Sequence, residues 1–299
     1  MAGNGYIFQR VEKKYMLTQK QYESLLTAIE PHMAIDQYGL SKICNVYYDT
    51  ADNELVRRSN EKPVYKEKMR LRSYGIPAED DVVYLELKKK YRDVVYKRRV
   101  ALRLTEAESY LFGGIRPNVG NCPGSDRWVE TQIFREIDYF ISFHRTEPKI
   151  YIAYDRTAWY GKEDREFRMT FDSHIRSRRD HLSLGFGDEA QELFLQEYQL
   201  LEIKAAGAYP MWLVKVLGDL NVYPVSFSKY GVIYKKELSR VFSGGDTDNA
   251  QVGCGTGCFD GLEFALNTPG RVAGFQENIG FPGWEDLAGK GRDKQCLPV

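Results

Sequence analysis

Along residues 1–242 the apolar positions change repeatedly between two periods. A repeat of 2 marks an extended strand, and a repeat near 3.6 marks an amphipathic helix. The period-2 segments are 8–17, 42–49, 65–74, 82–90, 93–104, 149–160, 165–172 and 198–204. Helical spacing covers 18–30, where Thr18 and Gln21 form a capping box and Leu25, Leu26 and Ile29 supply the apolar face. It recurs over 105–112, opened by Thr105 and Glu108 and closed by Gly113-Gly114, and over 126–144, with Trp128, Ile133, Phe134, Ile137 and Phe140. A proline in the first turn opens 210–220, which carries Leu213, Val214 and Leu217, and a last helix is predicted over 229–242. The order is neither regular βαβ nor pure hairpins, so it predicts an α+β fold built on a large antiparallel sheet.

The charges sit on the same period as the strands. Lys66, Lys68, Arg70 and Arg72 share one face while Met69 and Leu71 share the other. Glu86 and Lys88 oppose Leu85 and Leu87, Lys97 aligns with Arg99, and Glu202 with Lys204 opposes Leu201 and Ile203. Arg10, Glu12 and Lys14 align, as do Arg168, Thr170 and Asp172. A single charged face is what any half-exposed antiparallel strand shows to water. Six cation-rich faces predict more: closure into a barrel of about eight strands, with helices packed outside and the charges turned inward. A lumen of buried like charges is stable only around an anion. The three carboxylates Glu12, Glu86 and Glu202 would supply oxygen ligands to a divalent metal, which makes the lumen a polyphosphate-type site.

Composition sharpens this reading. The chain has 42 Lys+Arg and 42 Asp+Glu, a formal net charge of +0. Residues 243–299 hold 12 of the 26 glycines with 4 Lys+Arg and 8 Asp+Glu, so a +4 body is cancelled by a −4 tail. The tail has no sustained period and reads as poorly ordered, with a short helix around 278–288; residues 1–242 form the folded domain. Cys44, Cys122, Cys254, Cys258 and Cys296 are scattered and form no disulfide framework. Cys254 and Cys258 lack a second Cys/His pair for a metal, and Gly253–Gly257 lacks the Lys-Ser/Thr of a phosphate loop. No signal peptide or transmembrane run is evident, which predicts a cytoplasmic protein whose product would need a separate membrane protein to cross a bilayer. His32, His144, His174 and His181 are dispersed; Arg57-Arg58 and the Arg176, Arg178 and Arg179 group read as solvated surface charge. Tyr47-Tyr48-Asp49 reads as a strand end packed on the barrel.

The blocks Lys68-x-Arg70-x-Arg72, Leu85-Glu86-Leu87-Lys88, Tyr154–Ala158, Arg168–Asp172, Leu201–Lys204 and Phe227–Tyr230, in this order, resemble the VTC domain, the polyphosphate polymerase domain of the vacuolar transporter chaperone complex. The strand from Arg10 to Tyr15 resembles the opening signature of the wider triphosphate tunnel, or CYTH-like, superfamily, with Arg10 where a Glu is usual. The resemblance spans about 6–238 and implies transfer of the γ-phosphoryl group of ATP to a growing polyphosphate chain, with release of ADP. It implies that Arg70, Arg72, Lys97, Arg156 and Arg168 act on phosphates. Lys14, Lys88, Arg99 and Lys204 would line the lumen, and Lys229 would stand near a tunnel mouth. Glu202, aided by Glu12 and Glu86, would hold Mn²⁺ or Mg²⁺. Phosphoryl transfer asks for positioning and charge neutralisation, which these residue types provide. ATP and inorganic polyphosphate are the implied partners, and nothing calls for nucleic acid. Hydrolysis of tripolyphosphate or a nucleoside triphosphate, and polyphosphate binding without turnover, stay open beside it.

Overall fold

The computed structural model describes residues 11–92, 94–118, 127–193 and 198–243, with side chains to 240. The predicted tail and its helix, together with Arg10, Cys122, Cys254, Cys258, Cys296 and Gly253–Gly257, lie outside the described residues. Ten strands and six α-helices follow in the order β1 (Val11–Thr18), α1 (Gln19–Ile29), β2 (Met33–Asp49), α2 (Glu54–Asn60), β3 (Tyr65–Tyr74), β4 (Val82–Tyr91) and β5 (Val94–Arg103). Then come α3 (Leu104–Gly113), α4 (Arg127–His144), β6 (Glu147–Gly161), β7 (Arg168–Arg178), β8 (Gln191–Glu192), β9 (Tyr198–Ala205), α5 (Met211–Asp219), β10 (Pro224–Val225) and α6 (Lys229–Ser243). Among the described residues no helix is long and apolar enough to cross a membrane.

All eight predicted strands are present, and two short ones join them. They form one antiparallel sheet ordered β10-β1-β9-β7-β6-β2-β3-β4-β5, with β8 on β7. The expected closed barrel is not reached through hydrogen bonds: among the described residues no ladder joins β10 to β5.

The outer face is apolar, as the alternation predicts. At one end Met69, Leu71, Leu85, Leu87 and Val100 pack under α3 and α4 through Ile133, Phe134, Ile137 and Phe140. At the other, Leu17, Met169, Phe171, Leu201 and Ile203 pack under α1 and α5. The expectation that every helix lies outside is corrected by α6. Its Tyr230 and Ile233 bury against Ile43, Tyr47, Ile150, Ile152 and Tyr154, and Tyr47 belongs to the face that carries Arg70. The cause is local: on the central strands that face becomes aliphatic, and it needs its own cover.

Element ends show which sequence signals acted. Thr18 accepts from the Gln21 backbone N–H and Gln21 reaches back to the Thr18 N–H, at 3.3 and 2.9 Å. The predicted Thr105–Glu108 box does not form; Glu106 accepts from the Arg103 N–H at 3.0 Å, and Glu108 accepts from Ser183 instead. The helix starts earlier because Leu104, Ala107 and Tyr110 are the positions that bury. It ends where Gly114 adopts φ 67°, a left-handed cap. In α4, Trp128 falls off the buried stripe and is 73% exposed, contrary to its predicted place on the apolar face. Strand β7 runs on to Arg178, so Arg176 and Arg178 are buried rather than solvated. The Arg178 guanidinium lies 3.6 Å over the Tyr151 ring and donates to the carbonyls of His181, Ser183, Gly187 and Glu189. Arg57 and Arg58 stay on the surface of α2, paired with Asp52 and Glu54.

Asp49, at the end of β2, is fully buried and accepts the first-turn N–H groups of α2 that the N-cap residue Asn53 leaves without a side-chain acceptor. Its carboxylate accepts from the N–H groups of Thr50, Leu55 and Val56 at 2.8, 2.8 and 3.0 Å. Asp49→Ala strands those donors, so the expected loss is about 2 kcal/mol of stability in urea unfolding. A loss below roughly 0.5 kcal/mol would show that α2 does not depend on this carboxylate.

Candidate functional site

Register places the charged faces level by level. Lys66 stands opposite Lys90, Lys68 opposite Lys88, and Arg70 opposite Glu86 on β3 and β4. On β5, Lys97 and Arg99 stand opposite Lys88 and Glu86. Across the curved sheet, β1 and β9 set Lys14 opposite Glu202 and Glu12 opposite Lys204. Lys14 of β1 and Lys68 of β3 both reach the segment before α6, so the two arms of the sheet face one another around a basic cleft. The segment before α6 spans it, with the Phe227 carbonyl accepting from Lys14 at 3.3 Å and the Ser228 hydroxyl accepting from Lys68 at 2.8 Å.

Three carboxylates organise these cations. Glu86, 2% exposed, is the hub of the first group. Arg70 donates to it from Nε at 2.8 Å, Lys97 Nζ lies at 2.8 Å, Arg99 at 3.5 Å and Arg72 at 3.9 Å. Burial pushes the Glu86 carboxyl up, but Arg70, Arg72 and Lys97 outweigh burial and hold it at about 2. The arginines are also aimed from β2 and β6. Arg70 donates to the Tyr47 hydroxyl at 3.0 Å, and Arg72 donates to Asn45 Oδ1 at 2.9 Å and the Tyr154 hydroxyl at 3.2 Å.

The second hub is Asp172, which is fully buried. Arg156 grips it with two hydrogen bonds of 2.6 and 2.9 Å, and Lys229 Nζ donates to it at 2.6 Å. Although burial opposes its charge, Lys229 and Arg156 hold the Asp172 carboxyl well below the usual range. Lys229 is thus a largely buried partner of Asp172 and lies 4.1 Å over the Tyr154 ring. The third hub is Glu202, with Lys204 at 2.6 Å and Lys14 at 3.7 Å; Lys14 also lies 3.6 Å from Glu12. Arg168 is exposed at the start of β7, beside Lys204.

The structure thus brings Arg70, Arg72, Lys97 and Arg99 into one group, Arg156 and Lys229 into a second, and Lys14 and Lys204 into a third. The three carboxylates expected to share a metal are not brought together. Among the described residues no three acidic, His or Cys side chains converge on a metal position. Glu86 is taken up by its ring of cations, and only Glu12 and Glu202 are neighbours, through Lys14. Sequence reasoning left out Asp172, Asn45, Tyr47 and Tyr154. For Asp172 the signal was present in its shared face with Arg168, and for Tyr154 in its place two residues before Arg156 on β6. Cys44 is a buried thiol in the outer core, away from these charges. His174 pairs with Glu192 at 3.2 Å.

Cations exceed carboxylates on the Lys66, Lys68, Lys88 and Lys90 levels. Burial brings the Lys68 ammonium down to about 8; Tyr47 opposes it, and Lys66, Lys14 and Lys88 add to it. Tyr154 reaches about 8 from above, since Arg156, Arg72 and Lys229 outweigh its burial. Raising the pH through 8 therefore removes a positive charge at Lys68 and adds a negative one at Tyr154. Affinity for tripolyphosphate, measured by calorimetry, is expected to fall at least about tenfold between pH 7 and 9, and Lys68→Arg with Tyr154→Phe is expected to flatten the profile. A flat wild-type profile would contradict this assignment.

A family model, the VTC domain, matches residues 9–237. No curated protein matches the chain. Among solved structures, it is similar to a candidate adenylate cyclase from Bacillus halodurans at 14% identity, covering 73% of this chain and 93% of that one, with a TM-score of 0.44. It is likewise similar to a candidate adenylyl cyclase from Hippeastrum with a dominant triphosphatase activity, at 13% identity, 76% and 96% coverage and a TM-score of 0.43. The family match covers well over half of the sequence and contains all the cation groups of the cleft, and on that ground the chain belongs to the VTC domain family.

Proposed function

We propose that this chain is an ATP-polyphosphate phosphotransferase that extends inorganic polyphosphate. The observation that carries the reading is the convergence of Arg70, Arg72, Lys97, Arg156, Lys229 and the lysine levels on one face, around only a few buried carboxylates. Such a face is complementary to a chain of phosphates. A terminal oxygen of the polyphosphate attacks the γ-phosphorus of ATP. A new P–O bond forms, the bond from that phosphorus to the β–γ bridging oxygen breaks, and ADP leaves with its electron pair.

Arg70 and Arg72 meet the non-bridging oxygens as fixed forks, and Lys97 meets them as a point charge. Glu86 and Asp172 keep these groups in place before substrate arrives, so little reorganisation accompanies the transfer. Lys14, Lys88, Arg99, Lys204 and Arg168 hold the remaining phosphates. Glu202 with Glu12 would hold the divalent ion, Mn²⁺ or Mg²⁺, with Glu86 excluded by its cations; the ion would supply neutralisation of phosphate charge. In this reading the arms of the sheet enclose the chain as a tunnel, residues 1–242 are the catalytic domain, residues 243–299 are a tail outside it, and the protein works in the cytoplasm.

Purified protein given ATP and Mn²⁺ is expected to yield ADP in equal amount to the phosphate found in long chains. Free orthophosphate without chain growth would instead establish a hydrolase, and tight polyphosphate binding without turnover a binding module. Arg70→Ala is expected to lower kcat/KM by about a hundredfold or more. Glu202→Gln is expected to fold normally and to lose turnover; wild-type rates in that variant would remove the metal assignment.

A further inference from the structure

The two ends of the cleft differ. Running along the inward face of β3 are Lys66, Lys68, Arg70, Arg72 and then Tyr74; along β4 they are Lys90, Lys88, Glu86 and then Tyr84. On β3 and β4 one end is thus lysine, with Val95 of β5 opposite Lys90, and the other carries two aromatic rings beside Arg99. Tyr74 is 55% exposed although it is on the charged face, and the next exposed apolar residue is Ile76. The Tyr74 and Tyr84 rings meet edge to face, with centroids 5.7 Å apart and planes at 77°. The Arg99 guanidinium lies 3.5 Å over Tyr84 and donates to the Tyr74 hydroxyl at 3.2 Å. This arrangement leaves the Tyr74 ring exposed, and the Arg99 side chain keeps 34% of its surface although its Nε is buried.

A phosphate chain does not need exposed rings; cations alone would serve it. A flat heteroaromatic base does need them, because it stacks on tyrosine and on guanidinium planes. One strand step of two residues, about 7 Å, separates Tyr74 from Arg72, so a base on the rings leaves its own phosphates on the arginines.

We infer that Tyr74, Tyr84 and Arg99 form a stacking site for the base of a nucleoside triphosphate whose phosphates lie on Arg70, Arg72 and Lys97. The inference rests on the ATP-dependent reading above and adds direction to it: the nucleotide enters at the tyrosine end, and the phosphate chain lies towards Lys66 and Lys90.

The test compares ATP with inorganic tripolyphosphate, which has the same phosphates and no base, by calorimetry on the full chain without turnover. Tyr74→Ala and Tyr84→Ala are expected to weaken ATP about tenfold and tripolyphosphate less than about twofold, and Tyr74→Phe is expected to restore ATP binding. Tyr74 is on the surface, so its variant folds even if removal of Tyr84 disturbs Arg99. Equal losses for both ligands would mean that the rings only hold Arg99, and would overturn the base site. Unchanged ATP affinity in Tyr74→Ala and Tyr84→Ala, or equal wild-type affinity for both ligands, would also overturn it. A wild-type protein that prefers ATP through these rings yet builds no polyphosphate would keep the base site and reject the polymerase reading.

Discussion

Charge compensation inside the curved sheet is the constraint on which the rest depends. Arginine and lysine side chains on neighbouring strands of one face repel, and burial raises the cost. Glu86, Asp172 and Glu202 offset it, each serving two to four cations at 2.6–3.9 Å. They do not offset all of it. Lys68 stands directly opposite Lys88, and like charges facing across a ladder destabilise it. An anion entering the cleft would relieve that cost.

The layers follow from the same constraint. Since one face of β3, β4, β1 and β9 is occupied by charge, the hydrophobic core must form on the other, under α1, α3, α4 and α5. On β2 and β6 that inner face turns aliphatic, and α6 covers it. The N-terminal turn of α6 is then held where Lys229 reaches Asp172 and Ser228 receives Lys68. Packing of an apolar patch thus positions two polar groups of the site.

Much of this was legible beforehand. The eight main strands, the buried faces of α1 and α4, and the inward set of Arg70, Arg72, Lys97 and Lys204 follow from period-2 and period-3.6 spacing. Family membership followed from ordered blocks such as Lys68-x-Arg70-x-Arg72. The misses have distinct reasons. Thr105 and Glu108 had cap chemistry, but the burial of Leu104 moved the helix start. Arg176 and Arg178 looked like surface charge because the carbonyls that receive Arg178 come from a loop whose path no local rule gives. Glu86 has a carboxylate's usual metal chemistry; only its neighbours reveal that cations occupy it.

By itself, the sequence determined which residues lie on which face, because alternation is a property of a single strand and needs no partner. It also separated a basic body from an acidic, Gly-rich tail that net charge had hidden. Tertiary structure alone decided which carboxylate meets which cation, that helix α6 lies on the inner face, and that the cleft has a lysine end and a tyrosine end. Those are distances between residues far apart in the chain, such as Arg156 and Asp172 or Lys68 and Ser228. Electrostatic energy depends on that separation, and no spacing along the sequence encodes it.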